Sequence, residues 1–299
     1  MVFNLKQIKI FFVKFLFFII GNLPFPILYI LSNFLNFIVY YVIGYRLNIV
    51  EKNLSLSNLN LNKKQKQVLK KKFYSHFCDI YLEMIKLDYL NEKQIKYRFK
   101  VLNPELADKY LTEGKSVILM VSHYGGYEWC TTLDMYFKHQ VAAIYTPLKD
   151  KELEKITLKS RERHGIVLIP RYSALDDIRL LEKSDIKHMY GFVADQSPQI
   201  RKINYWSKFL GVEVPVFTGA ERMAKELDVP VVFAKMSKIK RGRYELKLEL
   251  ITEKPNSLED FEITEKYLRL VENQIHEDPN YYFWTHNRFK HRKISQSNS

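Results

Sequence analysis

After Lys115 the sequence alternates short, mostly apolar runs with longer polar stretches, and this alternation constrains the fold more than any other feature. The apolar runs are Ser116–Ser122, Val141–Thr146, Ile166–Pro170, Met189–Ala194 and Val229–Ala234. The stretches with helical periodicity between them are Glu152–Arg163, Ala174–Lys183 and Thr218–Leu227. Short runs of this kind are typical of strands buried on both faces of a parallel sheet. The pattern therefore predicts an α/β fold in which helices flank a largely parallel sheet.

Three segments outside this alternation also have a clear periodicity. Between Asn62 and Tyr89 apolar residues recur every three or four positions, which predicts an amphipathic helix with a lysine-rich outer face. Tyr244–Ile251 alternates polar and apolar residues, as expected for a half-exposed strand near a sheet edge. Residues 258–277 are predicted to form a closing helix.

The N-terminal 50 residues contain no Asp or Glu, and their few basic residues stand among many apolar side chains. No small-residue cleavage site follows the apolar stretch, so the pattern does not indicate a signal peptide. From Phe25 to Tyr45 the chain carries no charge over 21 residues, about the length that spans a bilayer, although Asn33 and Asn36 interrupt it. Three interpretations remain: one transmembrane helix, a helical pair in the membrane interface, or a buried hairpin of a soluble protein.

The formal net charge of +14 indicates an anionic partner. Nucleic acid, an anionic membrane and an acidic carrier protein all fit this charge. Basic residues mixed with Phe, Leu and Ile suit a membrane surface best, so we expect a membrane partner and no nucleic acid. Cys78 and Cys130 lack the spacing of a disulfide framework or a thiolate zinc site, which favours buried free thiols in a reducing compartment.

The segment from His123 to Glu128 places a histidine, two glycines and a carboxylate directly after a predicted strand. Sites in open α/β sheets gather at the carboxyl ends of strands. A tight turn through Gly125 and Gly126 would bring the Glu128 carboxylate within hydrogen-bond reach of one imidazole nitrogen, leaving the other as a proton acceptor. The exposed amides of the two glycines are candidate donors to an oxyanion. The pattern indicates a general base for transfer to a hydroxyl, and a structural His–Glu pair remains the alternative.

The segment HYGGYEW resembles the HX4D/E box of the lysophospholipid acyltransferase superfamily, specifically its lipid A biosynthesis (lauroyl/myristoyl) acyltransferase branch. Gly126 stands where that branch usually has Asn, and Tyr127 where it usually has Trp. Other segments resemble elements of the branch in the same order along the chain. They are Gly44–Arg46 with Asn53 and Leu54, Phe73–Asp79, Ala194–Pro198, Phe209–Gly211 with Val216–Gly219, and Phe283–Lys290, in which Asn287 replaces an Arg. The resemblance covers roughly Gly44 to Arg292.

The resemblance implies a glycerolphosphate-acyltransferase-like fold and transfer of a fatty acyl chain from an acyl-carrier-protein thioester to a hydroxyl of a membrane lipid. The first choice of acceptor is a lipid A precursor, and another glycolipid or an aminolipid is the alternative. His123 would be the base and Glu128 would hold its imidazole. The implied substrate-binding residues are Gly125, Gly126, Arg163, Asp195, Gln196, Thr218, Gly219 and Arg288. Asp195 and Gln196 would line the cleft or bond within their turn, and Arg288 would meet a headgroup phosphate.

This interpretation requires no metal and no cofactor, and it places the protein at the inner membrane with its catalytic domain on the cytoplasmic face. We expect a membrane-associating segment at residues 1–46, an acyltransferase domain at 47–293 and a polar tail at 294–299. Arg161, close to Arg163, is assigned to a solvated helix face.

Other kinds of protein fit the sequence less well. A metal hydrolase would need a third ligand, and His164, His188 and His286 are present without HExxH spacing. A serine esterase is not indicated, because the chain has no GxSxG elbow. The non-enzymatic alternative is a basic module that binds a membrane or a nucleic acid.

Overall fold

A computed structural model describes residues 5–293, and the predicted tail at 294–299 lies outside them. The helices are α1 (Leu5–Asn22), α2 (Phe25–Phe37), α3 (Leu47–Leu56), α4 (Lys63–Leu87), α5 (Glu92–Arg98), α6 (Glu105–Thr112), α7 (Lys151–Glu162), α8 (Ala174–Leu181), α9 (Gly219–Leu227) and α10 (Glu262–Glu277). The strands are β1 (Phe99–Val101), β2 (Val117–Val121), β3 (Gln140–Tyr145), β4 (Val167–Pro170), β5 (His188–Val193), β6 (Trp206–Phe209), β7 (Val212–Pro215), β8 (Val231–Lys240) and β9 (Arg243–Thr252). A π-helical turn at Ile38–Val42 extends α2, and a 3₁₀ helix occupies Tyr127–Met135.

The main sheet has seven strands in the order β1-β9-β8-β2-β5-β3-β4. Only the β8–β9 pair is antiparallel; the other neighbours run parallel. Every residue of the central strand β2 is buried, because helices cover the sheet and the strand consists of Val, Ile, Leu and Met. The predicted α/β fold with a largely parallel sheet is confirmed.

The predicted strands and helices from Ser116 onward are all present, with boundaries that shift by a few residues. The strand predicted at Tyr244–Ile251 is β9, whose side chains alternate between buried and exposed, one position in from the β1 edge. Strand β1 and the β6–β7 hairpin, which forms a separate two-stranded antiparallel sheet, were not predicted from the sequence. Three or four residues are too few to show a period of two.

The helix predicted between Asn62 and Tyr89 is α4. It begins with a capping box, in which Asn62 and Gln65 exchange side-chain to backbone hydrogen bonds. Its apolar face contributes Leu69, Phe73 and Ile80 to the main core. This helix supports the sheet on one side and the N-terminal helices on the other.

The N-terminal helices α1 and α2 pack on α4 through a small separate core of Ile20, Leu28 and Leu82. Their outer faces carry large exposed apolar residues: Phe11, Phe12, Phe15, Leu16, Phe18 and Ile19 on α1, and Ile27, Ile30, Phe34 and Phe37 on α2. Among the described residues, one helix, over Phe25–Val42, is long and apolar enough to cross a membrane. Most of that helix is not buried against the protein. The N-terminal segment is therefore a hairpin docked on α4 by one face only.

Polar contacts fix α2 to α4. Ser32 donates a 2.6 Å hydrogen bond to the buried carboxylate of Asp79, and Tyr29 donates one of 3.0 Å to Glu83. Arg241, in the β8–β9 turn, binds both oxygens of Asp79 and also the side-chain oxygen of Asn33. Ser32 and Asn33, two polar residues within the apolar stretch, thus bind charged groups of the main domain.

Replacing Asp79 should weaken the whole N-terminal half. The Asp79→Ala variant leaves Arg241 and the buried Lys238 without their carboxylate, so we expect the free energy of unfolding to fall by about 2–4 kcal/mol. Denaturant unfolding followed by circular dichroism measures this loss. The control is Glu277→Ala, which breaks an exposed ion pair with Lys235 and should cost less than about 1 kcal/mol. Equal losses in the two variants would contradict the role given to Asp79.

Candidate active site

Strands β2 and β5 are parallel neighbours that end side by side, with Val121 opposite Val193. His123 and Asp195 each follow two residues after those strand ends, so both side chains lie at the carboxyl edge of the sheet. The Nδ1 atom of His123 is 2.8 Å from Oδ1 of Asp195. A carboxylate accepts and does not donate, so Nδ1 carries the proton and Nε2 is left as a proton acceptor.

The surroundings of His123 stabilise its charged imidazolium form more than water does. Burial disfavours the charge on His123, but the charge and hydrogen bond of Asp195 outweigh burial, and the pKa of His123 is raised. Burial likewise opposes ionisation of Asp195, but the His123 interaction prevails and lowers the pKa of Asp195. Asp195 is only 1% exposed, whereas the His123 side chain is 22% exposed and open to a substrate.

Glu128 does not hold the imidazole in the way the sequence suggested, because Asp195 occupies Nδ1. The 3₁₀ helix begins at Tyr127, directly after the glycine turn, and carries the Glu128 carboxylate toward α7. There it lies 3.6 Å from Nη2 of Arg161. Glu128 is still close enough for its charge to contribute to the raised pKa of His123.

The glycine turn is buried and already hydrogen-bonded. Gly125 has a φ of +56°, a conformation that favours glycine. Its N–H donates to the carbonyl of Tyr281 at 3.0 Å, and its carbonyl accepts from Nε2 of His76 at 3.1 Å. Gly126 is also buried. The N–H of Gly125 is therefore not free for an oxyanion, and the oxyanion role of Gly126 stays a prediction.

The segment Tyr281–Arg288 joins the other motifs to the histidine turn. The N–H of Phe283 donates to the carbonyl of His123, and the hydroxyl of Ser197, in the turn that follows Asp195, donates to the carbonyl of Arg288. From the N-terminal side, Asn53 donates to the carbonyls of Trp284 and His286. Segments far apart in the sequence thus meet around His123.

The remaining candidate residues lie in different surroundings. Arg288 is only 1% exposed and donates to Ser197 and to the carbonyl of Pro215, a position inside the protein that does not suit a headgroup phosphate at the surface. Arg163 is exposed just past the end of α7, whereas Arg161, assigned to a solvated face, points to the site through Glu128. Gln196 is half-buried next to Asp195.

Thr218 and Gly219 form the start of α9. No hydrogen bond within residues 5–293 joins the side chain of Thr218 to the histidine turn. Their proposed contact with substrate stays a prediction.

Aromatic residues surround the imidazole on its open side. The ring centroid of His123 lies 5.1 Å from that of Tyr127 and 5.8 Å from that of Phe283. Both of these residues also line a narrow cavity of about 10 Å³ between α4 and the segment that follows α10. The other residues of its wall are Phe73, His76, Phe77, Ile80, Tyr81, Gly125, Tyr281 and Tyr282. The histidine thus adjoins a largely apolar space.

Within residues 5–293, no three His, Cys, Asp or Glu side chains come together as ligands for a metal ion. His286 instead accepts a hydrogen bond from the N–H of Ser197 through Nε2. Cys78 and Cys130 are both free thiols, and burial raises their pKa values to about 12. Neither thiol is suited to act as a nucleophile at neutral pH.

Comparison with known proteins identifies the chemistry that this site belongs to. The family model described as bacterial lipid A biosynthesis acyltransferase matches residues 2–291, nearly the whole chain. The chain belongs to this acyltransferase family. No individual curated protein matches it. The transfer of acyl groups in lipid A biosynthesis is the activity of the family, and the predicted resemblance is confirmed.

The structure explains why Gly126 departs from the usual motif of this acyltransferase family. A Cβ atom on Gly126 would lie 2.6 Å from Cγ of Tyr244, closer than carbon atoms pack. Tyr244 is buried on β9 and takes the space that a side chain at position 126 would need. Glycine in place of the usual Asn is therefore a packing requirement of this chain. Nothing in the structure explains Asn287 in place of Arg.

The Gly126→Ala variant should be destabilised by about 1–3 kcal/mol, because the added methyl group must displace the Tyr244 ring. Thermal unfolding measures the effect as a lowered Tm. Gly219→Ala is the matched control, since a Cβ at the start of α9 meets open space. A Gly126→Ala variant as stable as Gly219→Ala would show that Tyr244 moves aside freely.

The pKa of His123 should fall when Asp195 is replaced by Asn. Without the carboxylate, burial is the main influence on the imidazole, and burial disfavours its charged form. Titration of the His123 ring signals by NMR tests this. The raised pKa also means that the pair contributes stability below the pKa of unfolded His, and this contribution is lost as pH rises through the folded pKa. An unchanged pKa in Asp195→Asn would rule out the assigned pairing.

Proposed function

We propose that this acyltransferase moves a fatty acyl chain from an acyl-carrier-protein thioester to a hydroxyl of a lipid A precursor, with His123 as general base. The observation that carries this proposal is the hydrogen bond from Nδ1 of His123 to buried Asp195. It fixes the tautomer in which Nε2 accepts a proton, as a base for hydroxyl attack requires. Family membership supplies the class of reaction and of acceptor.

The step balances with the residues present. Nε2 of His123 takes the proton of the acceptor hydroxyl while the hydroxyl oxygen attacks the carbonyl carbon of the thioester. The tetrahedral intermediate collapses, the carbon–sulfur bond breaks, and the imidazolium returns the proton to the leaving thiolate. Asp195 stays ionised throughout and stabilises the imidazolium, as its lowered pKa favours.

Glu128 has a different task in this proposal. It holds Arg161, whose side chain is 28% exposed and whose charge reaches both His123 and Tyr127. A guanidinium at the mouth of the site suits a phosphate group of the substrate. Glu128 therefore acts as a positioning residue for Arg161 and adds negative charge near the imidazole.

We propose that the acyl chain enters the aromatic cavity beside His123 by moving its walls apart, because the present volume of about 10 Å³ holds no more than about one water molecule. Its walls are largely Phe, Tyr and Ile side chains, and Tyr127 and Phe283 join it to the imidazole. An apolar chain gains free energy from leaving water, and it needs no polar partner there. A thioester carbonyl at the mouth of this cavity would lie next to the base.

We propose that α1 and α2 lie in the interface of the inner membrane on its cytoplasmic side. Ser32 and Asn33 bind charged groups of the main domain, so a spanning α2 would draw Asp79 and Arg241 into the hydrocarbon, which is costly. The exposed apolar faces of both helices suit a lipid surface. A cytoplasmic position agrees with two free cysteines and with a carrier protein as donor.

The decisive test is the His123→Ala variant, which should lose acyl transfer by on the order of 100-fold or more while remaining folded. Asp195→Asn should lose nearly as much, and Glu128→Gln should lose less, because it acts through Arg161. Transfer from an acyl carrier protein to a lipid A precursor in detergent micelles measures all three. Normal transfer by His123→Ala would refute the proposal. If the protein only binds membranes, the substitution should have no effect on transfer.

Mass spectrometry of lipids from cells that express wild type or His123→Ala identifies the acceptor. The lipid that lacks one acyl chain in the variant names the acceptor and the chain length together. A loss confined to another glycolipid or an aminolipid would move the proposal to that acceptor.

A further inference from the structure

A second buried histidine, His76 on α4, contacts the turn that carries His123. Its Nε2 donates to the carbonyl of Gly125 at 3.1 Å, and its ring packs 4.8 Å from that of Tyr281. Gly125 lies between the proposed base and Glu128, and its N–H is held by Tyr281. Both backbone polar groups of Gly125 are therefore bound by residues from outside the turn.

The other nitrogen of His76 is also occupied. The ammonium group of Lys238, on β8, donates to Nδ1 at 2.9 Å. Donation to Nδ1 and from Nε2 requires a neutral ring with its proton on Nε2, the opposite tautomer to that of His123. Burial, aided by the charge of Lys238, lowers the pKa of His76 well below its ordinary value, so the ring stays neutral.

Lys238 is anchored in turn by Asp79, 3.7 Å away. The same carboxylate binds Arg241 and the hydroxyl of Ser32 on α2. A continuous series of buried polar contacts thus runs from the apolar helix α2 through Asp79, Lys238 and His76 to the Gly125 carbonyl.

We propose that His76 is a positioning residue for acyl transfer. Together with Lys238, it fixes the position of the glycine turn and thereby the orientation of His123. This inference rests on the proposed role of His123. A hydrogen bond to the Gly125 carbonyl matters here because only Tyr124 lies between Gly125 and His123 in the chain. An error of about 1 Å in a reacting group lowers rates by up to about 100-fold.

The test is steady-state acyl transfer by His76→Ala, His76→Gln and His76→Asn, each in the full chain. A Gln amide reaches the place of Nε2 and restores the donor to Gly125, whereas an Asn oxygen takes the place of Nδ1 and restores only the acceptor for Lys238. We expect kcat to fall about 10- to 100-fold in His76→Ala and His76→Asn and to recover in His76→Gln.

The chain offers a matched control in His139. This buried histidine also donates from Nε2 to a backbone carbonyl, that of Lys115, but at the opposite end of β2. His139→Ala should lose similar stability and keep its kcat per folded molecule. Equal losses of kcat in His139→Ala and His76→Ala, or equal kcat values in His76→Gln and His76→Asn, would overturn the proposal.

Failure of the positioning role and failure of the proposed base are distinguishable. An inactive His123→Ala beside a fully active His76→Ala would overturn the positioning role alone. A fully active His123→Ala would overturn both. If His76→Ala does not fold, the comparison of His76→Gln with His76→Asn decides the outcome.

Discussion

The structure depends on two parallel strands that end at the same level. β2 and β5 are neighbours in register, and the residues two positions past their ends are a histidine and an aspartate. The sheet therefore supplies the distance and direction of the His123–Asp195 hydrogen bond, and no long flexible loop has to provide them. Because β2 is wholly buried, its end is fixed by core packing, and the imidazole inherits that rigidity. The HX4E box carries His123, the proposed base, but the carboxylate bonded to its imidazole follows another strand.

The segment after α10 completes this arrangement. Its backbone bonds to His123 and Gly125, its Arg288 binds the turn after Asp195, and Asn53 holds it from the N-terminal side. None of these contacts is local in sequence. Segments that are far apart in the sequence are thus joined by backbone and side-chain hydrogen bonds around His123. Arg288 illustrates the point, since its guanidinium stabilises the turn from inside the protein.

The sequence predicted the strands, the position of His123 and the helix α4, because burial on both faces and helical periodicity leave direct patterns in the residues. It did not predict the partner of His123. Strand order decides which turns lie side by side, and periodicity does not reveal that β5 rather than β3 lies next to β2. Glu128, five residues away, was the nearer choice in sequence, but the 3₁₀ helix that starts at Tyr127 turns it toward Arg161. The β6–β7 hairpin was missed because its strands are too short.

Ser32 and Asn33, in the N-terminal apolar stretch, have a physical role that links this stretch to the candidate site. Ser32 and Asn33 would be costly in a lipid-facing helix, but here they bind Asp79 and Arg241 and fix α2 on the main domain. Asp79 also anchors Lys238, and through it His76 and the glycine turn. A buried carboxylate with three partners has few alternative arrangements. A shift of α2 would therefore displace the contacts that hold the Gly125 carbonyl. The apolar N-terminal helices and the turn that follows His123 are therefore held by the same charge, that of Asp79.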